Sequence, residues 1–361
     1  MVSLSRAERR ESAEEKISLA QETLAAQVVA LQSGEDWQRY LSFQARFHCY
    51  SPNNVMLIAA QHRQAFADGA VEAPDPSWVA GFNTWKALGR SVDRGQHGYM
   101  VLAPCRYDRR VAVEPGGTAR PLGRDERPVE GERVESLRVL AGFRVEYVFD
   151  LSQTSGAEIA ERPCPRLLEG EAPAGLGVAV VGLIEGQGFS VDTVPGAQAL
   201  GGANGMTRWD DRRVLVRADM DDAAMVKTLL HEAAHVLLHD SPPGRFLPRA
   251  VKEVEAESVA FVVSVVHDMP TDSYSFPYVA TWAGDDGAKV VQATQVRVAQ
   301  AARTVIDASP AAHLDGGRPP GAAMVAVSAA ARQAGHSVVA EGQAGGCEGL
   351  STLAERGAVG L

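Results

Sequence analysis

Apolar residues recur at helical spacing over residues 5–32. Ile17, Leu19, Leu24, Val28, Val29 and Leu31 stand among Glu, Gln, Lys and Arg, and the pattern predicts a helix closed by Ser33-Gly34. A second helical segment starts near Asp36 and carries Trp37, Tyr40, Leu41, Phe43 and Phe47. Ser51-Pro52-Asn53-Asn54 breaks it, and Asn53 or Asn54 suits the cap of a third helix through Val55, Leu57 and Ile58. Residues 68–77 hold Gly, Asp and two prolines and predict a loop. From Trp78 the texture changes towards strands, at 99–103 and, by alternation, at 143–149. Between these two, residues 108–136 are polar with Pro, Gly and Arg, and predict a mobile hairpin tip or an insertion.

Beyond a boundary expected near Ser155-Gly156, residues 166–188 mix a helix with an apolar run, and 189–193 read as a strand. Residues 205–217 predict a hairpin with Val214 and Val216 on one face. Helices follow at 221–239, 248–267 and 286–306. From Asp307 the chain is dominated by Ala and Gly and has no Phe, Trp or Tyr, so 307–361 is expected to be mostly disordered. The pattern as a whole predicts an α+β protein with domains at 1–155 and 156–306.

Composition narrows the class. The chain has 361 residues, room for two ordinary domains, and its 45% hydrophobic and 22% charged residues exclude a wholly disordered protein. Its charged start has no apolar core of the secretory kind. The longest apolar runs, 176–184 and the stretch around 259–266, fall short of the ~20 residues of a membrane span. Cys49, Cys105, Cys164 and Cys347 are far apart with no Cys-x-x-Cys, which excludes a zinc ribbon and makes a reducing cytoplasm the simplest location. The net charge of −10 argues against a uniformly basic nucleic-acid binder but leaves room for a local patch.

One motif carries sharp chemistry. His231-Glu232-Ala233-Ala234-His235 lies inside a helical segment, so residues four apart share a face and both imidazoles can point at one Zn2+. Glu232 stands beside the first ligand, where a carboxylate can take a proton from the attacking water. A catalytic zinc site needs a third protein ligand. Glu253 and Glu257, four apart on the next helix, supply one ligand and one group to support a histidine, and we assign Glu253 to the metal and Glu257 to the support. Glu255 lies about 200° round the helix from Glu253 and is expected to face away. His239, one turn past His235, suits a cap or an outer support better than a metal ligand. No phosphate-binding loop and no Gly-x-Ser-x-Gly elbow competes.

The span from about 205 to 266, through residues 231–239 and 253–260, resembles the ImmA/IrrE group of metallopeptidases. The resemblance implies a zincin-like, gluzincin-type domain in which His231, His235 and Glu253 hold zinc and Glu232 is the base. Where that group carries Asn or Asp, this chain has Glu257. Residues 37–107 resemble the N-terminal domain of ArdC-type antirestriction proteins, through Trp37, Tyr50-Ser51-Pro52-Asn53-Asn54, Trp78, Phe82-Asn83-Thr84-Trp85, Leu88-Gly89, Gly95, Gly98 and Pro104. That resemblance implies a single-stranded DNA-binding module that shields incoming DNA from restriction, here fused to a metallopeptidase domain. The residues agree with it in part. Between 81 and 110, six basic residues (Lys86, Arg90, Arg94, Arg106, Arg109, Arg110) face two acids, Asp93 and Asp108, with Phe82, Trp85, Tyr99 and Tyr107 interleaved. Single-strand binders combine cationic grooves with aromatic platforms. Trp85, Lys86, Arg90, Arg94, Arg106, Asn53 and Asn54 are therefore the candidate DNA contacts, although Phe82 and Trp85 read equally well as core. Two functions stay open: a zinc peptidase acting on an unidentified protein substrate, or a DNA-coating protein with a structural metal.

Overall fold

The structure, a computed structural model, describes residues 6–310 other than 115, 124–125, 160–169, 273, 275, 278 and 285, together with Gly316 and Arg318. The expected disordered tail lies almost wholly outside the described residues. In chain order the elements are α1 (Arg6–Ala30), α2 (Gly34–Arg46), α3 (Pro52–Ala67), β1 (Val79–Gly81), α4 (Phe82–Ala87), β2 (Arg90–Val92), β3 (Tyr99–Val113), β4 (Ala119–Pro121), β5 (Arg133–Asp150) and β6 (Thr154–Gly156). They continue as α5 (Leu176–Gly186), β7 (Ser190–Val194), β8 (Gly205–Arg208), β9 (Arg213–Arg217), α6 (Asp222–His239), α7 (Pro242–Arg245), α8 (Arg249–Val266), α9 (Val279–Ala283) and α10 (Gly287–Ala308). The architecture is mixed α+β, and no helix among the described residues is long and apolar enough to cross a membrane.

The chain packs as two units. Among the described residues, one contains those of 6–20 and 100–147; the other contains those of 21–99 and from 148 onward. In the larger unit the helices that follow Gln21 share a core with the C-terminal half. Trp37 of α2 is fully buried, its indole N–H donates to Ser258 Oγ of α8 at 2.9 Å, and its ring meets Trp282 edge-on at 5.4 Å. Helix α8 is the centre of this unit: Val254, Ala256, Val259, Ala260, Phe261, Val262 and Val263 are all buried. Each large apolar side chain sealed in this way contributes about 1.5–3 kcal/mol of transfer free energy.

Local chemistry sets the helix ends. Ser33 both follows α1 and caps α2: its Oγ accepts from Asp36 N while Asp36 Oδ2 accepts from Ser33 N, a reciprocal capping box. Gly34 has no room for a side chain, since a Cβ there would collide with Phe276 O. Helix α3 is capped by Ser51, with Pro52 at its first position, and not by Asn53 or Asn54; the proline sets φ for the first turn and needs no donor there.

The smaller unit is built on β3 and β5, long neighbouring strands that carry strand structure into the segment expected to be a tip, with β4 antiparallel to β3 and registered from Val111↔Pro121 to Val113↔Ala119. Arg120 grips Glu132 with two N–H···O contacts of 2.8 and 2.9 Å, which orders a polar stretch that has few apolar residues to bury. In the larger unit, a three-stranded sheet has the order β7-β9-β8. Strands β7 and β9 are parallel, and β8 and β9 form the expected hairpin, with Val214 and Val216 of β9 buried. That order leaves β8 at the sheet edge.

Candidate metal centre

Helix α6 begins at Asp221, whose side chain accepts from Ala224 N at 2.8 Å, and it presents His231, His235 and His239 on three successive turns. Helix α8 runs against it and brings Glu253 and Glu257 to the same place. The ligand atoms of His231, His235 and Glu253 all lie within 4.8 Å of one another. The Nε2 atoms of the two histidines are 3.1 Å apart, and Glu253 Oε2 is 3.6 Å from His231 Nε2 and 3.8 Å from His235 Nε2. Donors bound tetrahedrally at about 2.0–2.1 Å are about 3.3 Å apart, so this spacing suits one small divalent ion.

The far sides of both rings are held. His231 Nδ1 donates to Glu257 Oε2 at 3.2 Å. His235 Nδ1 shares a 3.0 Å hydrogen bond with His239 Nδ1, and His239 Nε2 lies 3.1 Å from Glu255 Oε2. Glu255 is completely buried, and its Oε1 accepts from Arg297 Nε at 2.6 Å and from Thr294 Oγ1 at 3.2 Å. The expectation that Glu255 faces away from the site therefore needs correcting. Its 200° offset from Glu253 is real, but α8 is enclosed on nearly every side, so the offset turns it towards the end of α6 and not into solvent.

The electrostatics fit a cation site. Burial opposes charge on His231, but Glu253 and Glu257 outweigh it and push the imidazole up to about 9. His231 in turn holds the Glu253 carboxyl well below the usual carboxylate range. Burial lowers the pKa of His239, which favours its neutral form. The two Nδ1 atoms are thus engaged by neighbours, while two Nε2 atoms and a carboxylate oxygen converge on one point. A divalent cation satisfies that convergence with no proton.

His231, His235 and Glu253 border an open cleft of about 870 Å3, whose wall includes Met206, Thr207, Trp209, Lys227 and Glu232. Glu232 is buried at 5% exposure, and its Oε2 accepts from Thr207 Oγ1 of β8 at 2.6 Å. Gly205, also on β8, lies so close that an added Cβ would come 2.9 Å from Glu232 Oε1 and 2.6 Å from Thr228 Cγ2. The sheet edge thus locates the carboxylate next to the ligand pair. Nothing in the sequence marks Thr207, because a single hydroxyl in a short strand carries no pattern. Gly205 stands out only as a glycine in a strand, which signals a close approach without saying to what.

The candidate DNA contacts separate into groups. Trp85 is fully buried and its indole N–H donates to Phe149 O at 2.9 Å, so it is core and not a stacking platform. Arg90 is spent within the fold, with Nε on Thr154 Oγ1 at 2.9 Å and Nη1 on Ala157 O at 2.5 Å. Lys86, Arg94 and Arg106 are exposed, the first two in the larger unit and Arg106 in the hairpin unit. Asn53 and Asn54 occupy the first turn of α3 and are half-buried.

Residues 14–145 match the N-terminal domain of anti-restriction factor ArdC. The match ends well before α6 and α8. An uncharacterized protein of Bacillus anthracis is 24% identical over 272 residues, covering 69% of this chain and 43% of the relative, so the chain spans less than half of that protein's length. Crystal structures of the antirestriction ArdC protein from the R388 plasmid, metal-free and Mn(II)-bound, are both 18% identical to this chain over 72% of its length. They are covered to 85% and 88%, with TM-scores of 0.41 and 0.40.

Proposed function

We propose that the chain is a metal-dependent peptide hydrolase joined to an antirestriction-type module that binds single-stranded DNA. The observation that carries the hydrolase half is the convergence of His231, His235 and Glu253 at an open cleft that also holds Glu232. A structural zinc is closed off by four protein ligands, whereas a catalytic one has three and an open position. Two imidazoles and one carboxylate suit zinc best among common ions, though the same set accepts other borderline metals.

When bound, the ion supplies Lewis acidity, lowering the pKa of a water and polarising a carbonyl. Glu232 takes the proton from the attacking water and passes it to the leaving amine. Thr207 keeps the Glu232 carboxylate pointed at the cleft. The open edge of β8 suits an extended peptide, which gains main-chain hydrogen bonds by strand addition. The test is quantitative N-terminal proteomics of cells expressing the full chain or its Glu232→Gln variant. New N termini confined to the wild type support hydrolysis, and identical sets of termini contradict it.

The DNA half is supported by the match over 14–145 and by the exposed cations Lys86, Arg94 and Arg106. It is tested on the full chain by fluorescence anisotropy at several salt concentrations. Binding to single strands should weaken with salt, with a log–log slope near −0.7 per phosphate contact, and Arg94→Ala should flatten it by about one contact. Equal affinity for duplex, or no dependence on salt, contradicts this half.

A further inference from the structure

We propose that His239 and Glu255 are positioning residues that lock His235 in the one tautomer able to offer Nε2 to a metal. The inference rests on the metal site proposed above and goes beyond its three ligands. A carboxylate only accepts, so the 3.1 Å contact with Glu255 Oε2 puts the His239 proton on Nε2. The Nδ1 of a neutral His239 is then bare and must accept. In the 3.0 Å contact between the two Nδ1 atoms, His235 is therefore the donor. A neutral imidazole carries one proton, so the Nε2 of His235 is left with its lone pair, directed at Nε2 of His231 and at Glu253 Oε2.

The far end of this relay is anchored. Glu255 and His239 are both at 0% exposure, and Arg297 and Thr294 of α10 hold the second oxygen of Glu255. The two metal histidines are thus supported differently. His231 leans directly on Glu257, which is partly open to the cleft, whereas His235 leans on a closed chain of four side chains that reaches a third helix. Outer partners of metal-bound histidines fix ring orientation, and losing one costs about 10- to 100-fold in metal affinity. A buried Glu–Arg pair that merely tied α8 to α10 would not require the intervening imidazole.

The experiment compares His239→Gln with His239→Leu in the full chain. Glutamine retains an oxygen to accept from His235 and an amide to donate to Glu255, while leucine has similar bulk and neither group. Zn(II) affinity is measured by chelator competition, alongside the visible spectrum of the Co(II) form and the melting temperature without metal. His239→Leu should bind about 10- to 100-fold more weakly with shifted Co(II) bands, and His239→Gln should stay within about threefold of wild type with native bands. Unchanged affinity and spectrum in His239→Leu would overturn the relay and leave the metal site standing. Wild type that binds neither ion would overturn the metal site and the relay with it. Should His239→Leu fail to fold, long-range 1H–15N spectra of the Zn(II)-loaded wild type decide: a His239 proton on Nε2 supports the relay, and one on Nδ1 overturns it.

Discussion

His231 carries two opposing demands: its carboxylate neighbours favour a proton, and a metal requires that proton to leave. Because its folded pKa is raised from the ordinary 6.5 to about 9, its ion pair with Glu253 stabilises the metal-free protein fully below pH 6.5. That contribution fades as the pH rises through about 9. At pH 7 the site is therefore protonated, and metal binding should release about one proton per chain. Calorimetry in two buffers of different ionisation enthalpy measures this, and affinity should rise between pH 7 and pH 9. Binding without proton release would contradict the assignment of His231. The convergence of His231 and His235 is legible in the sequence, because a four-residue spacing on a helix puts both on one face. The partners of His239 are not: Arg297 and Thr294 lie on another helix, and no local pattern says where that helix packs. Trp85 is ambiguous for a related reason, since an aromatic in a basic stretch reads the same whether it stacks on a base or fills a core.

Helix α8 and strand β8 show what periodicity can and cannot supply. The hairpin at 205–217 and the helices at 221–239 and 248–267 are readable from their apolar spacing and emerge within a few residues of the expected bounds. The arms β3 and β5 run further than expected, through polar residues that apolar patterning reads as loop, and Arg120 pairs with Glu132 beside them. Strand β8 is expected as one arm of a hairpin, but its edge position and its grip on Glu232 come only from the fold. That grip yields a test. Gly205→Ala places a methyl group against Glu232 Oε1 and Thr228 Cγ2, so the carboxylate must shift. Metal content should be unchanged, and hydrolysis should fall by an amount approaching that of losing the base, about 10²- to 10⁴-fold. A Gly205→Ala protein with full activity would show that the closeness of β8 has no bearing on the base.

Across the larger unit, the packing ties the region that matches the ArdC N-terminal domain to α8 and α9. Trp37, inside the matched residues, buries itself against Ser258 and Trp282. Sequence patterning suggests independent halves because each has its own helices and strands, and nothing local reports which faces meet. A fragment of residues 1–155 would expose that face of α2. It should melt at lower temperature than the full chain or aggregate, as differential scanning calorimetry and light scattering would show; a fragment as stable as the full chain would make this shared core dispensable.

The decisive comparison is the metal content of four full-length proteins by elemental analysis: wild type, Glu232→Gln, His235→Ala and Glu253→Ala. Wild type and Glu232→Gln should each carry about one divalent ion per chain, because the proposal makes Glu232 a base and not a ligand, while His235→Ala and Glu253→Ala should carry almost none. Unchanged metal in both His235→Ala and Glu253→Ala, or its loss in Glu232→Gln, would contradict the site proposed for this chain.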